Sequence, residues 1–213
     1  VSRVPAADAS GLVAGFADAT GHFLPLVCTL NAARVLTSAA ALLGVDVESF
    51  AELALSAEPG AGGLVLLPYL DGERTPNLPD ARGSLHGITR ANLTPANIAR
   101  ASIEGMLGGL ADAVDALVDV GVVPRRIILV GGAAANPAVS EVAATMFTVP
   151  VEVPPPGEYV ADGAARQAAW ALAGTAAAPQ WPDARPGSTT RLEPSPVPGI
   201  REAYARARTA LYG

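Results

Sequence analysis

The sequence predicts an α/β domain, and three observations carry that expectation. After residue 63, apolar runs of strand length alternate with longer segments of helical periodicity. Two of those segments begin with the same helix-start grammar, Thr94-Pro95 and Asn136-Pro137, an N-cap residue followed by proline in the first turn. Half of the 213 residues are hydrophobic and only 16% are charged, enough to bury a sizeable core and too apolar for a disordered chain.

Taken in order, GLVAGFA (11–17) and HFLPLV (22–27) flank the turn sequence DATG and read as two strands. Residues 29–43 are helical in pattern, with Leu30, Val35, Leu42 and Leu43 apolar and Gly44 as the stop. A second short helix over 47–57 carries Phe50, Leu53 and Ala54 at helical spacing. GLVLLPYL (63–70) is a continuous apolar run suited to a buried strand. DGERTPNLPDARG (71–83) has no periodicity, and a long loop inside a compact chain points to function. Thr94-Pro95 then opens the longest helix, whose Ile103, Leu107, Leu110, Val114 and Leu117 form one apolar stripe running down to Gly121. Beyond it come a strand at RRIILV (125–130), a helix over 137–147, a strand at VPVEV (149–153) and an alanine-rich helix over 159–174. A Pro-rich stretch, 178–198, crosses the surface to a last amphipathic helix over 200–211. There is no internal repeat.

Composition excludes several classes of function. All fourteen basic residues are arginine, and the formal net charge is -6. Apart from the pairs Arg125-Arg126 and Arg206 with Arg208 they are scattered, so no basic stripe exists for nucleic acid. The single Cys28 permits no internal disulfide and fits a reducing, cytoplasmic compartment. His22 and His86 lack the spacing of a zinc site. No apolar run is long enough to span a membrane. The opening VSRVPAADASG is unlike a signal peptide and reads as the middle of a longer protein.

The most suggestive short stretch is VGGAAANP (130–137), between the strand RRIILV and a helix. Tight strand-to-helix packing explains two glycines there. So does a ligand resting on bare backbone beside the N–H groups of a helix start. The stretch is neither a P-loop, since no GK[ST] follows, nor the GxGxxG dinucleotide fingerprint.

A longer pattern lies upstream. GSLHGITRANLTPANIARASIEG (83–105) matches throughout the second signature of the FGGY carbohydrate kinases. LLPYLDGERTPNLPDARG (66–83) resembles the xylulokinase-type loop of that family. ILVGGAAANPAVSEVAATMFTVPVEV is similar to its adenine-site strand and helix, and YVADGAARQAAW to the helix that follows. The resemblance covers about residues 10–175. It implies an actin-like, ribonuclease-H-like fold, with residues 1–213 forming the nucleotide-side, C-terminal lobe of a two-lobe kinase. Residues 178–213 would add the Pro-rich segment and the last helix.

The resemblance further implies that the sugar substrate is held mainly by an N-terminal lobe of the same protein, with ATP and Mg²⁺ as cofactors. Gly131, Gly132 and Ala133 would then border the nucleotide, and Asn136 would meet the adenine. Glu73, Arg74 and Arg82 would lie in the loop bordering the cleft. No catalytic residue falls in this chain, because the family's general-base aspartate lies upstream of the position of Val1. Asp71, Asp80 and Asp162 are read as solvated carboxylates, and Glu104 and Gly105 as sites of close helix packing. The implied reaction is phosphorylation of a ketopentose, D-xylulose to D-xylulose 5-phosphate, by a homodimer. Ribulose, gluconate or glycerol as substrate, or a non-catalytic nucleotide-binding module, are the alternatives.

Overall fold

The computed structural model describes residues 1–181 and 187–213; residues 182–186 of the Pro-rich stretch lie outside the described residues. An antiparallel hairpin of β1 (Ala14–Ala17) and β2 (Phe23–Leu26) opens the chain, with Ala14 opposite Leu26. Helices α1 (Ala33–Leu43) and α2 (Val47–Ser56) follow. β3 (Val65–Leu67) pairs antiparallel with β4 (Ser84–His86), and the long α3 (Pro95–Asp119) comes next. β5 (Ile127–Ile128), α4 (Pro137–Ala144) and β6 (Val151–Val153) make a crossover unit in which the two strands run parallel. After α5 (Tyr159–Ala173), β7 (Thr190–Leu192) adds antiparallel to β6, and α6 (Ile200–Tyr212) ends the chain.

The elements expected from the sequence are present, with shorter bounds for identifiable reasons. Of the run 63–70 only Val65–Leu67 is a strand. Pro68 has no N–H for a ladder, and the N–H of Leu70 donates to Asn31 Oδ1 at 3.0 Å instead. The helix expected over 29–43 begins at Ala33, after Ala32 in a non-helical conformation of φ -120° and ψ -125°, and the N–H of Leu30 before it donates to Glu73 Oε1 at 2.7 Å. The helix expected over 137–147 ends at Ala144, where Thr145 and Met146 switch to carbonyls three residues back. RRIILV contributes two strand residues, since β5 pairs on one side only. β4 and β7 were not expected. Their sequences, SLH and TRL, are too short to show a period, and each is a strand through its pairing, β4 with β3 and β7 with β6.

Helix α3 is the spine. Ile103 and Leu107 are fully buried and meet Leu36 of α1, Phe50 of α2, Val139 and Val142 of α4 and Val151 of β6 in one core cluster. Leu110 and Val114, the next residues of the predicted stripe, pack against that cluster, and Leu117 lies beyond it. Each large side chain buried this way contributes about 1.5–3 kcal/mol.

The other face of α3 is set by glycine. A Cβ on Gly105 would sit 2.2 Å from the carbonyl oxygen of Leu66 in β3, and one on Gly108 would sit 2.8 Å from the ring of Tyr204 in α6. The helix therefore lies directly on strand and helix, as the reading of Gly105 as a packing residue anticipates. One residue before Gly105, Glu104 Oε1 accepts from Arg100 Nε at 2.7 Å and from the Gly60 N–H at 2.9 Å, tying the turn before β3 to the helix. Burial pushes the Glu104 carboxyl above its ordinary range, against the pull of those two donors. Ion pairs Asp112–Arg208 and Asp115–Arg201 fasten α6 along α3.

Two predictions follow from this packing. Gly105→Ala should lower the unfolding free energy by at least about 2 kcal/mol, an overpacking cost against backbone that cannot yield. Gly163→Ala, in α5 with nothing within 4 Å of the added Cβ, should raise it by up to ~1 kcal/mol. Urea denaturation of the two variants compares them, and equal effects would contradict the assigned contact. At the start of α4, Asn136→Ala should cost about 1 kcal/mol through loss of the cap, while Asn136→Asp should stay within a few tenths. The same denaturation curves check it.

Candidate functional site

Gly131 and Gly132 sit where strand β5 hands over to helix α4. Leu129 still donates its N–H to Glu152 O at 2.9 Å, so the chain leaves the sheet just before the glycines. Gly131 has φ 95° and ψ 178°, a conformation that side chains resist. Gly132 to Ala135 make a single 3₁₀ turn, and Asn136 starts α4 with its Oδ1 accepting from the Ala138 N–H at 2.9 Å. Pro137 occupies the first helical position, as expected.

Packing does not account for the glycine pair. A Cβ built on either Gly131 or Gly132 meets nothing within 4 Å. Gly131 is required by its backbone angle, but Gly132 is required by no neighbour among the described residues. Its bare face is open on both sides of the loop. On one side a cavity of about 720 Å³ lies between the loop and helices α1 and α2, walled by Leu36, Ala40, Val47, Phe50 and Ala133. On the other, one of about 600 Å³ lies between the loop and the turn after β6. Gly132, Ala135 and Pro137 line both. Both volumes lie in the range of small-molecule sites, and the larger has the apolar walls and few polar groups of such a site.

Asn136 is 6% exposed and lines the larger cavity. Capping and facing the cavity are compatible for this side chain. Its Oδ1 holds the helix, and its Nδ2 has no hydrogen-bond partner among the described residues. Four of the expected site residues, Gly131, Gly132, Ala133 and Asn136, are thus brought together around one loop.

The other three are not with them. Glu73 is buried, with Oε1 accepting from Leu30 N and Arg74 N and Oε2 from Asn31 Nδ2 at 2.9 Å. It knots the loop 71–83 to the start of α1 and lines neither cavity beside the glycines. Arg74 is exposed. Arg82 is exposed near the end of α6, where its backbone exchanges hydrogen bonds with the Tyr212 hydroxyl. Asp71 and Asp80 are exposed loop carboxylates, and Asp162 pairs with Arg166 at 3.1 Å. Sequence reading missed the α1–α2 wall of the cavity. No local pattern signals it: Glu48 lies in the first turn of α2, where a carboxylate is favoured by the helix dipole.

Comparison with known proteins matches this arrangement to one family. The profile described as the FGGY family of carbohydrate kinases, C-terminal domain, matches residues 5–172. A xylulose kinase of Streptomyces coelicolor is 42% identical over 179 residues, covering 84% of this chain and 35% of the relative. A xylulose kinase of Streptomyces rubiginosus is 44% identical over 169 residues, covering 79% and 33%. The chain therefore spans about a third of the length of these curated relatives. The crystal structure of xylulose kinase from Bifidobacterium adolescentis superposes with a TM-score of 0.83 at 45% identity, over 97% of this chain and 40% of that one. The fold is the actin-like, ribonuclease-H-like α/β fold of such kinases. The chain belongs to the FGGY family of carbohydrate kinases and corresponds to its C-terminal domain.

Proposed function

We propose that this chain is the nucleotide-holding lobe of an ATP-dependent sugar kinase, and that the sugar is a ketopentose, D-xylulose. The observation that carries the reading is Gly132, a glycine that neither packing nor backbone angle demands, bare between two cavities. A phosphate-bearing ligand can approach such backbone at the positive end of α4. The base and ribose enter the apolar cavity beside α1 and α2, with Asn136 Nδ2 as a donor to the ring. Gly131, Gly132 and Ala133 form the shelf beneath. The names and identities of the relatives support the choice of D-xylulose over other sugars.

Phosphoryl transfer in such an enzyme rests on positioning and on stabilising charge. The residues of this chain bind and orient the nucleotide, and the cavity walls keep water from the base. Mg²⁺ would arrive on the phosphates, for among the described residues no group of three or more His, Cys, Asp or Glu is placed to hold a metal ion. No residue here is assigned as the base that takes the sugar hydroxyl proton. That step, and most contacts to the sugar, belong to an N-terminal lobe of the same protein. Glu73 serves by fixing the cleft-side loop, and Arg74, being exposed, is free to meet that lobe or the phosphates.

A two-lobed protein carrying this chain should phosphorylate D-xylulose with MgATP in preference to ribulose, gluconate and glycerol, read by coupled ADP release. The 213-residue chain alone should give no turnover in a preparation free of host kinases. Turnover by the chain alone would contradict the assignment of the base to the other lobe. Gly132→Leu should leave the unfolding free energy within about 0.5 kcal/mol, as expected of a surface substitution with open space around it. It should weaken MgADP binding by about tenfold or more, since the side chain fills the shelf. Unchanged binding, measured by calorimetry, would count against the shelf.

A further inference from the structure

Away from the glycine loop, a cavity of about 250 Å³ lies between β3, α3 and α6. Its walls are largely apolar, with Leu64 and Leu66 on the β3 side and Val197, Ile200, Ala203 and Tyr204 on the α6 side. Two charged side chains line it, Glu104 and Arg206. They stand at different depths, for Glu104 is only 6% exposed whereas Arg206 is exposed on α6.

Neither charge is used up by the fold. Glu104 Oε1 takes the Arg100 Nε and Gly60 N–H donors, while Oε2 has no hydrogen bond among the described residues. Arg100 Nη2, of the same ion pair, is buried without a partner. Buried polar atoms are nearly always paired, so a free carboxylate oxygen on a cavity wall marks a place for a donor from outside. Arg206 has neither an ion-pair nor a hydrogen-bond partner among the described residues. Arg100 and Glu104 neutralise each other, and Arg206 leaves one positive charge over.

This arrangement sets the chemistry of what fits. The buried end calls for a neutral donor, since an ammonium there would meet the charge of Arg100. The solvent end calls for an acid. Between them the ligand needs an apolar body, because a polyol would leave its middle hydroxyls unpaired against Ile200 and the Tyr204 ring.

We infer that this cavity binds a small hydroxylated monocarboxylic acid, its hydroxyl donating to Glu104 Oε2 and its carboxylate resting on the Arg206 guanidinium. Both contacts are charge-assisted, and the second has the planar geometry that guanidinium and carboxylate share. The site is built on β3, α3 and α6, so it stands independently of the nucleotide reading of the glycine loop.

The test is amide NMR titration of the 213-residue chain at neutral pH with 4-hydroxybenzoate, benzoate and 4-hydroxybenzamide as probes. The last two each lack one of the polar groups. 4-Hydroxybenzoate should bind with a submillimolar dissociation constant, shifting the amides of Gly60, Ile200 and Ala203 and leaving Gly131 and Gly132 in place. Each truncated probe should bind about tenfold more weakly, the loss of one hydrogen bond to a charged group. Arg206→Ala, an exposed substitution that should leave thermal unfolding unchanged, should bind 4-hydroxybenzoate no better than 4-hydroxybenzamide. Equal affinity for the three probes, or unchanged affinity in Arg206→Ala, overturns the inference. So does the absence of shifts at those amides at millimolar 4-hydroxybenzoate, the result expected of a cavity that holds water alone.

Discussion

Where α3 crosses β3, the carbonyl of Leu66 lies so close to Gly105 that a Cβ there would have 2.2 Å of space. No ordinary side chain fits, so the helix is pinned to the strand at one depth and one rotation. That rotation decides what the rest of α3 presents. Ile103 and Leu107 turn inward to receive Phe50, Val139 and Val142, and so seat α2 and α4 on the same helix. Helix α2, with α1, walls the cavity on one side of the glycine loop, and α4 starts from the loop itself. The depth of the cavity is thus set some way from the loop, by a residue with no side chain. Gly108 does the same for α6 through Tyr204, whose hydroxyl burial pushes far above the ordinary tyrosine range and which meets the Tyr69 hydroxyl at 3.3 Å.

A second constraint works on the loop side. Glu73 and Asn31 draw the segment after β3 onto the start of α1, with Asn31 Nδ2 donating to Gly72 O at 2.6 Å and to Glu73 Oε2 at 2.9 Å. These side-chain bonds hold the loop against the residues just before α1, which begins at Ala33. A helix that begins at Ala33 presents Ala33, Leu36 and Thr37 to the cavity. The buried carboxylate of Glu73 is thus taken up by Leu30 N, Asn31 Nδ2 and Arg74 N, which knot the loop to the chain before α1.

Much of this was legible in the sequence because it is local. Thr94-Pro95 and Asn136-Pro137 start helices as their chemistry dictates, and the spacing of Ile103, Leu107, Leu110 and Val114 marks the inner face of α3. The VGGAAANP stretch was legible as a strand-to-helix turn, but its residues could not tell packing from ligand. That distinction depends on what lies above Gly132, and the space there is made by α1 and α2, some eighty residues earlier. Strands were the weakest reading. Val65–Leu67, Ser84–His86 and Thr190–Leu192 are three residues each, and their existence depends on a partner rather than on their own pattern.

The most direct measurement of the central claim, that a nucleotide lies against the loop Gly131–Asn136 and the α1–α2 wall, is amide and side-chain NMR of the chain during addition of MgADP. The account predicts shifts at Gly131, Gly132, Ala133, the Asn136 side-chain amide, Thr37 and Ala51, with α6 and the Gly60–Glu104 contact unaffected. Shifts confined to α3 and α6, or an undisturbed glycine loop at saturating nucleotide, would contradict it.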